Sequence, residues 1–266
     1  MRLFKGKNFE IILKNIFLSP KYQLKRWAER FFNKPVEPEI KIINTLTNEK
    51  LASIDIGVYR GVYSYYLLKS SIHVYSFEAN SNLIKNLKKS FLGNKNITIE
   101  NYAVSSSSGE SILRIPYRTN KSNYSHDEEM YELGLATIHK DNFLDKKKFN
   151  EYKVNKISID DYNFQHKIGF IKIDVEGHEL EIVKGGLNTI KKFKPNLLIE
   201  IEESHSGTKL IDTINFIESL GYDCFMLDYS NYSLIKLDKD NIYAYLKKNF
   251  DNYLQYNFIF KPFDLT

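Results

Sequence analysis

Short apolar runs alternate with amphipathic stretches along most of this chain, which is the pattern of buried strands joined by helices. Residues 51–80 show it most clearly, as an apolar run of strand length, a turn that carries Gly57 and Gly61, a helical segment and a second β-rich run that ends at Glu78. Strand, glycine turn, helix, strand and acid make one βαβ unit of a nucleotide-binding sheet. Glu78 lies 17 positions beyond Gly61, close to the spacing at which a carboxylate reaches a pair of ribose hydroxyls.

The same alternation continues to the end of the chain and predicts a mostly parallel sheet of seven strands with helices on both faces. A short helix is expected at 40–46 and an added edge strand at 111–115. Residues 116–148 are polar and irregular, and a segment of that length is usually a lid over a functional site or a disordered insertion. The seven core strands are expected at 51–56, 72–77, 97–104, 168–174, 196–202, 222–227 and 256–260.

The start of the chain differs from the rest in charge. Residues 1–34 hold nine Lys or Arg against Glu10 and Glu29, whereas the remaining body has 29 basic and 31 acidic residues. Apolar and basic positions alternate there, which predicts one or two amphipathic helices. The chain is therefore divided into a basic helical arm with its linker at 1–39 and one domain at 40–266. The arm is expected to pack on the domain or on a second subunit as a homo-oligomer contact, with a membrane-surface contact as the alternative.

Composition argues against several other classes of protein. The body is nearly neutral, so no nucleic-acid partner is expected. Cys224 is the only cysteine, so an internal disulfide is excluded, and no Cys/His cluster has zinc spacing. Charged residues interrupt every apolar run near the start, and no run approaches the roughly 18 apolar residues that span a bilayer. A cytoplasmic protein without a signal peptide is expected.

One acid helps to distinguish between nucleotide-like ligands. Asp55 lies two positions before Gly57, at the carboxyl end of the first predicted strand. A dinucleotide would bring its anionic pyrophosphate to this place and be repelled, whereas S-adenosylmethionine brings an ammonium and a sulfonium that an acid attracts. The glycine pattern is also G-x-x-x-G, unlike the G-x-G-x-x-G of pyrophosphate binders. S-adenosylmethionine is therefore favoured over NAD, and an NAD-linked oxidoreductase is kept as a less favoured alternative.

Acids also follow several other predicted strands. Since the carboxyl ends of parallel strands meet at one edge of a sheet, these acids are expected to converge where open α/β folds bind their ligands. They are Asp55, Glu78, Asp174, Glu200 and Glu202.

Five segments, in order and spacing, resemble the FkbM-type methyltransferases: IDIGVYRGVYS, FEANSNLIKNL, NYAVSSSSGE, IKIDVEGHELEIVKGG and KPNLLIEIE. The similarity covers about 51–261, and KIDVEGHE is its most specific part. It implies a class I methyltransferase fold, which is Rossmann-like, with S-adenosylmethionine as the methyl donor. It also implies O-methylation of a small-molecule or saccharide acceptor, with a sugar hydroxyl favoured.

The resemblance assigns residues to the donor site. Val58 and Tyr59 stand where the family usually has Ala-Asn, and Ala79 stands where it usually has Pro. Tyr59 is therefore expected over the donor loop, and a catalytically impaired scaffold protein stays open as an alternative. The resemblance implies a donor loop of Asp55, Gly57 and Gly61 with Tyr63 and Ser64 opening the next helix, ribose binding by Glu78, Ala79 and Asn80 beside the adenosine, Ala103, Val104 and Ser105 around the adenine, and Asp174 facing the methionine end and the acceptor.

Methyl transfer to a hydroxyl needs alignment and removal of a proton. The candidate catalytic groups are Asp174, Glu200 and His205, and a divalent metal that lowers the pKa of the hydroxyl is left open. His178 is expected to be an ordinary surface residue at the start of its helix. The chain lacks an Asn-Pro-Pro-aromatic segment after the fourth core strand, which argues against methylation of amino groups. Residues 116–148 are expected to cover the acceptor.

Overall fold

The computed structural model describes residues 37–117, 133–139, 148–203, 209–242 and 256–263. The predicted helices of the N-terminal arm, much of the predicted lid segment and His205 lie outside the described residues. No helix in the described part of the chain is long and apolar enough to cross a membrane.

The described ranges contain eleven strands. Eight of them form one sheet in the order β10-β9-β11-β8-β7-β1-β2-β3, and the other three form a small sheet in the order β4-β6-β5. In chain order the strands are β1 Ala52–Ile56, β2 Val74–Phe77, β3 Ile97–Glu100, β4 Ala103–Val104, β5 Gly109–Tyr117, β6 Lys148–Ile157, β7 Ile168–Ile173, β8 Asn196–Glu200, β9 Tyr222–Asp228, β10 Ser233–Lys236 and β11 Asn257–Pro262.

Helices follow the parallel strands of the main sheet. Neighbouring strands from β3 through β2, β1 and β7 to β8 run parallel, while β11 runs antiparallel to both β8 and β9. In the described ranges the α-helices are α1 Ile43–Leu46, α2 Val62–Leu67, α3 Ser81–Ser90, α4 Glu179–Lys184, α5 Leu187–Phe193 and α6 Leu210–Ser219, with 3₁₀ helices at Pro38–Ile42 and Lys239–Asn241.

Three details of the predicted strands are wrong. The sheet has eight strands and not seven, because the short run β10 pairs antiparallel with β9 at its edge. The single strand expected at 97–104 is divided into β3 and β4, which belong to different sheets. Asn101 lies at the break, and its side-chain amide donates to the carbonyls of Glu78 and Ala79 at 2.8 and 3.1 Å. The edge strand expected at 111–115 exists as β5, but it pairs with β6 and not with the main sheet.

The core lies on both faces of the main sheet. The four central strands β2, β1, β7 and β8 are largely buried, which explains why their sequences are nearly continuous apolar runs. The predicted helix at 40–46 begins two residues earlier, and its Ile42, Ile43 and Leu46 pack on one face. Glu39, expected in the linker, is only 1% exposed and accepts a hydrogen bond from Tyr229 at 3.0 Å. The folded domain therefore includes the end of the predicted linker.

Strand register places polar residues in two adjacent rows. Ser76, Asp55 and Lys172 lie side by side on β2, β1 and β7. Two residues farther along these strands, at the carboxyl edge of the sheet, come Glu78, Gly57 and Asp174, with Glu200 at the end of the adjacent β8.

A substitution at Gly57 tests how closely the ends of β1 and β7 approach each other at this edge. Its φ is +79°, and a Cβ there would lie 1.7 Å from the carbonyl oxygen of Asp174. Gly93 has a similar φ of +83° but open space around it. Gly93→Ala is expected to lose about 1–2 kcal/mol of unfolding free energy through left-handed strain alone. Gly57→Ala should lose a further 1–3 kcal/mol or so through overpacking. Urea unfolding measures both, and equal losses would contradict the close approach of the two strand ends.

Candidate functional site

A cleft of about 730 Å³, partly open to solvent, lies at the carboxyl ends of β1, β2 and β7. Residues 133–139, here called the strap, form its opposite wall. Seven of the predicted donor residues line the cleft: Gly57, Tyr59, Glu78, Ala79, Ala103, Val104 and Asp174.

The other predicted donor residues do not line the cleft. Asp55 is 1% exposed, and its Oδ2 accepts a 2.5 Å hydrogen bond from the Ser64 hydroxyl, which also lies 2.8 Å from the Ser76 hydroxyl. Asp55 thus ties α2 to the first two strands from beneath the turn, and the direct contact with a donor ammonium expected from the sequence does not have support in this geometry. Gly61, Tyr63, Asn80 and Ser105 also do not line the cleft.

The Asp55 carboxylate keeps one free oxygen. Its Oδ1 is buried and has no hydrogen-bond partner among the described residues. Burial raises the pKa of Asp55 above its usual value, although Lys172 and the Ser64 hydroxyl act against the rise.

Glu78 is fixed by the backbone on both of its oxygens. The amide of Tyr59 donates to Oε2 at 2.8 Å, and the amide of Asn80 donates to Oε1 at 2.7 Å. Each oxygen retains a second lone pair, so the carboxylate can still accept from a pair of hydroxyls in the cleft. Burial is the main cause that raises the pKa of Glu78 to about 7. Asn80 itself caps α3 by accepting from the amide of Asn82.

Tyr59 connects the glycine turn to the strap. Its φ is +49°, in the left-handed region that non-glycine residues seldom adopt. Its ring lies 3.5 Å from the position that a Cβ on Gly134 would take, and both Tyr59 and Leu133 pack on the apolar cluster around Val58. The Arg60 guanidinium lies 5.0 Å from the ring centroid. The Tyr59 side chain, which departs from the family pattern, is therefore accommodated by packing against the strap.

The strap is hydrogen-bonded to β5 and to the segment that follows β7. Thr137 exchanges two backbone hydrogen bonds with Arg114 of β5, at 2.8 and 3.0 Å. Its hydroxyl donates to the carbonyl of Glu176 at 2.5 Å. The described part of the segment that was expected to cover the acceptor therefore lines the same cleft as the predicted donor residues.

Asp174 lies between a lysine and a second acid. The Nζ atom of Lys172 is 2.5 Å from Asp174 Oδ2, and the lysine side chain is only 3% exposed while that of Asp174 is 40% exposed. Asp174 and Glu200 are the next residues after the paired Ile173 and Ile199 on the two parallel strands. Burial raises the pKa of Asp174, but Lys172 and Glu200 outweigh it and the pKa lies below its usual value. The repulsion by Asp174 and burial raise the pKa of Glu200.

His178 is not the plain surface residue expected from the sequence. It occupies the N-cap position of α4, lines the cleft, and its Nε2 lies 3.0 Å from the Ser105 hydroxyl. Burial is the main cause that lowers the pKa of His178 to about 4, with His139 of the strap adding to the effect. The neutral imidazole therefore belongs to the wall of the cleft. His205, the other candidate, lies outside the described residues.

The described residues do not fit a divalent metal. Within the ranges that the structure covers, no three His, Cys, Asp or Glu side chains are grouped to hold one. Lys172 already places a positive charge against Asp174. The metal that the sequence left open has no support here.

Sequence reasoning missed Lys172, and it placed the segment that includes the strap over the acceptor and not beside the predicted donor residues. A lysine inside the apolar run IGFIKID, two residues before an acid, is a signal that could have identified a buried ion pair, because lysine is rarely buried unpaired. The strap carries no comparable signal, since its place in the cleft depends on contacts with Arg114, Tyr59 and Glu176 that are distant in sequence.

The residues present fit S-adenosylmethionine. Glu78 faces the cleft from the end of β2, where the ribose of such a ligand is expected, and Ala79, Ala103 and Val104 leave room for the adenosine. Asp174 offers a partly exposed carboxylate at the same cleft for the cationic end of the donor.

One family model and several solved structures are similar to this chain. Residues 55–224 match the Methyltransferase FkbM domain. The methyltransferase FkbM of Methylobacillus flagellatus KT shares 19% identity at a TM-score of 0.45, over 70% of this chain but only 43% of its own. The TehB-like SAM-dependent methyltransferase of Corynebacterium glutamicum shares 10% at 0.41, over 92% and 97% of the two chains. A putative methyltransferase of Streptococcus mutans in complex with SAH shares 9% at 0.39, over 86% and 97%.

No curated protein matches the chain. The matched domain nevertheless spans roughly two thirds of it, and it includes the glycine turn, Glu78 and the segment around Asp174. The parallel strands and the reversed β11 form the sheet of a class I methyltransferase. This chain therefore belongs to the FkbM family of S-adenosylmethionine-dependent methyltransferases.

Proposed function

We propose that this protein is an O-methyltransferase that acts on a hydroxyl of a small molecule or glycan, with a sugar hydroxyl favoured. The observation that carries the proposal is the Asp174 carboxylate, which is held ionised by Lys172 and is 40% exposed at the cleft. A weakly acidic hydroxyl needs such a base when its oxygen attacks. S-adenosylmethionine, when bound, supplies a methyl group on a positively charged sulfur.

The donor half of the site is built on Glu78 and the glycine turn. The backbone amides of Tyr59 and Asn80 fix the Glu78 carboxylate, so it is oriented before any ligand binds. Fixed acceptors of this kind favour binding because little side-chain ordering remains to be done. Glu78 would therefore accept from the ribose hydroxyls, while the turn at Gly57 lets Asp174 approach the donor from the neighbouring strand.

The acceptor half is inferred from Asp174. Its carboxylate would accept the hydroxyl proton, and because its pKa lies below the usual value it is ionised at neutral pH. The segment after β7 reads Val175-Glu176-Gly177 and lacks the Asn-Pro-Pro-aromatic run associated with amino-group methylation. This supports a hydroxyl over an amine as the acceptor.

Donor affinity should depend on pH through Glu78. Because the pKa of the free Glu78 is about 7, the ionised form that accepts from ribose increases as the pH rises through this value. The affinity for S-adenosylhomocysteine should therefore fall about tenfold for each pH unit of acidification well below pH 7, and it should be nearly constant above pH 7. Calorimetry over this range measures the effect. Glu78→Gln should bind more weakly and lose this dependence, and an unchanged pH profile in the variant would contradict the role of Glu78.

Methyl transfer should depend on Asp174 more than donor binding does. With methyl-labelled S-adenosylmethionine and a panel of sugars and matched amino compounds, label should appear on oxygen. Asp174→Asn should lower turnover by about 10²–10⁴, the usual contribution of a general base. Its affinity for S-adenosylhomocysteine should fall by far less. Asp228→Asn is the matched control, because Asp228 also ends a strand of the sheet but does not line the cleft. Label on nitrogen, or equal losses in binding and turnover, would contradict the assignment.

Residues 118–132, between β5 and the strap, are proposed to contact the acceptor. The strap itself already belongs to the donor cleft, so the deletion is limited to these residues and replaced by a short Gly-Ser linker. S-adenosylhomocysteine binding should stay close to that of the intact protein, while turnover of the acceptor is lost. Full turnover in the deletion variant would show that this segment does not select the acceptor.

A further inference from the structure

The Lys172 ammonium is enclosed by groups from three elements. Its Nζ lies 2.5 Å from Asp174 Oδ2 on the same strand and 4.4 Å from the ring centroid of Tyr63 on α2. Asp55 is its direct neighbour on β1. With 3% of the side chain exposed, water hardly contributes to its solvation. A lysine buried in this way needs nearby acids to stay charged.

The sheet brings Glu200 to the other side of Asp174. Ile173 of β7 pairs with Ile199 of β8, so the next residues on the two parallel strands are Asp174 and Glu200. Two ionised carboxylates on neighbouring strand ends would repel each other, and one shared proton relieves this repulsion. The pair therefore holds a single proton over a wide range of pH.

The location of that proton depends on which carboxyl group the lysine contacts. Lys172 bonds directly to Asp174, which stabilises the ionised form of Asp174 and leaves the proton on Glu200. Direct ion pairing favours the charged form of a carboxyl group more than a longer-range interaction does. The other titratable or charged groups that act on Lys172, Asp174, Glu200 or the enclosing Tyr63 are Glu37 and Glu39 before α1, Asp55 on β1, Glu78 after β2, Glu176 and Glu179 after β7, and Tyr229 after β9.

We propose that Lys172 is a positioning residue that fixes the protonation order of the Asp174–Glu200 pair, so that Asp174 faces the cleft as a carboxylate while Glu200 keeps the shared proton and donates it to Asp174. Lys172 does not line the cleft, and its direct bond is to Asp174, which does. Glu200 acts as a hydrogen-bond donor and not as the base.

The consequence for catalysis rests on the proposed function. A base must be ionised before the acceptor hydroxyl arrives, and Lys172 provides this without an external cation. When Asp174 takes the hydroxyl proton, the pair holds two protons and the negative charge that Lys172 balanced is gone. Release of that proton to solvent restores the starting state. The active form is therefore the one with a single proton on the pair, which predicts an acidic and an alkaline limit to turnover.

The protonation order can be tested in the free protein, without donor or acceptor. Carboxyl groups are labelled with ¹³C in aspartate and glutamate, and their NMR shifts are followed with pH, with Asp174→Asn and Glu200→Gln used for assignment. In the wild type, Asp174 should titrate below and Glu200 well above their usual values. In Lys172→Met, the Asp174 midpoint should rise by about one pH unit or more, since it loses an adjacent opposite charge. Lys172→Arg should restore most of the shift.

A purely structural role for Lys172 would not produce these results. Lys184→Met is the control, because Lys184 pairs with Glu181 at 2.7 Å on α4 and should leave the Asp174 titration unchanged. If Lys172→Met does not fold, Glu200→Gln decides, since it keeps a donor to Asp174 while removing the titrating proton. In that variant the alkaline transition should vanish and Asp174 should remain ionised.

An Asp174 midpoint unchanged in Lys172→Met, or a proton found on Asp174 in the wild type, would overturn the proposal. Because no methyl transfer is measured, this result is separate from the proposed activity. A correct titration in a protein that methylates nothing would refute the proposed function and leave the proposed protonation order intact.

Discussion

The site depends on one buried ammonium among acids. Parallel strands bring Asp55, Asp174 and Glu200 to one edge of the sheet, where nearby carboxylates in a water-poor environment would repel one another. Lys172 lies beside Asp55 and bonds to Asp174, while Asp174 and burial raise the pKa of Glu200 and so favour its neutral form. The Lys172–Asp174 ion pair reduces the repulsion at this edge and also leaves Asp174 ionised and partly exposed at the cleft. The stability of the edge and the proposed chemistry therefore depend on the same contact.

The strap and the glycine turn define the donor cleft together. Tyr59 holds Glu78 through its backbone amide and contacts the strap near Gly134 through its ring. The two halves of the cleft are thus connected at a residue where the chain departs from its family. Thr137 closes the far side through β5 and Glu176.

Sequence reasoning predicted the elements whose signals are local. The βαβ unit, Glu78 and Asp174 follow from apolar runs, glycines and acids within a few residues, and the structure places Glu78 and Asp174 at one cleft. Sequence reasoning failed where a strand forms only through long-range pairing. β6 is rich in charged residues, and its partner β5 lies on the other side of the predicted lid segment. β10 is a short edge strand that pairs only with β9. The burial of Asp55 beneath the turn also depended on Ser64 and Ser76, which no local pattern reveals.

The central claim is that the cleft binds a sulfonium donor and not a dinucleotide. Calorimetry of the intact protein with S-adenosylmethionine and NAD, side by side near pH 8, tests it most directly, because Glu78 is then largely ionised. We expect saturable binding of S-adenosylmethionine with one site per chain and no heat from NAD. Binding of NAD, or no binding of either ligand at high micromolar concentration, would contradict it.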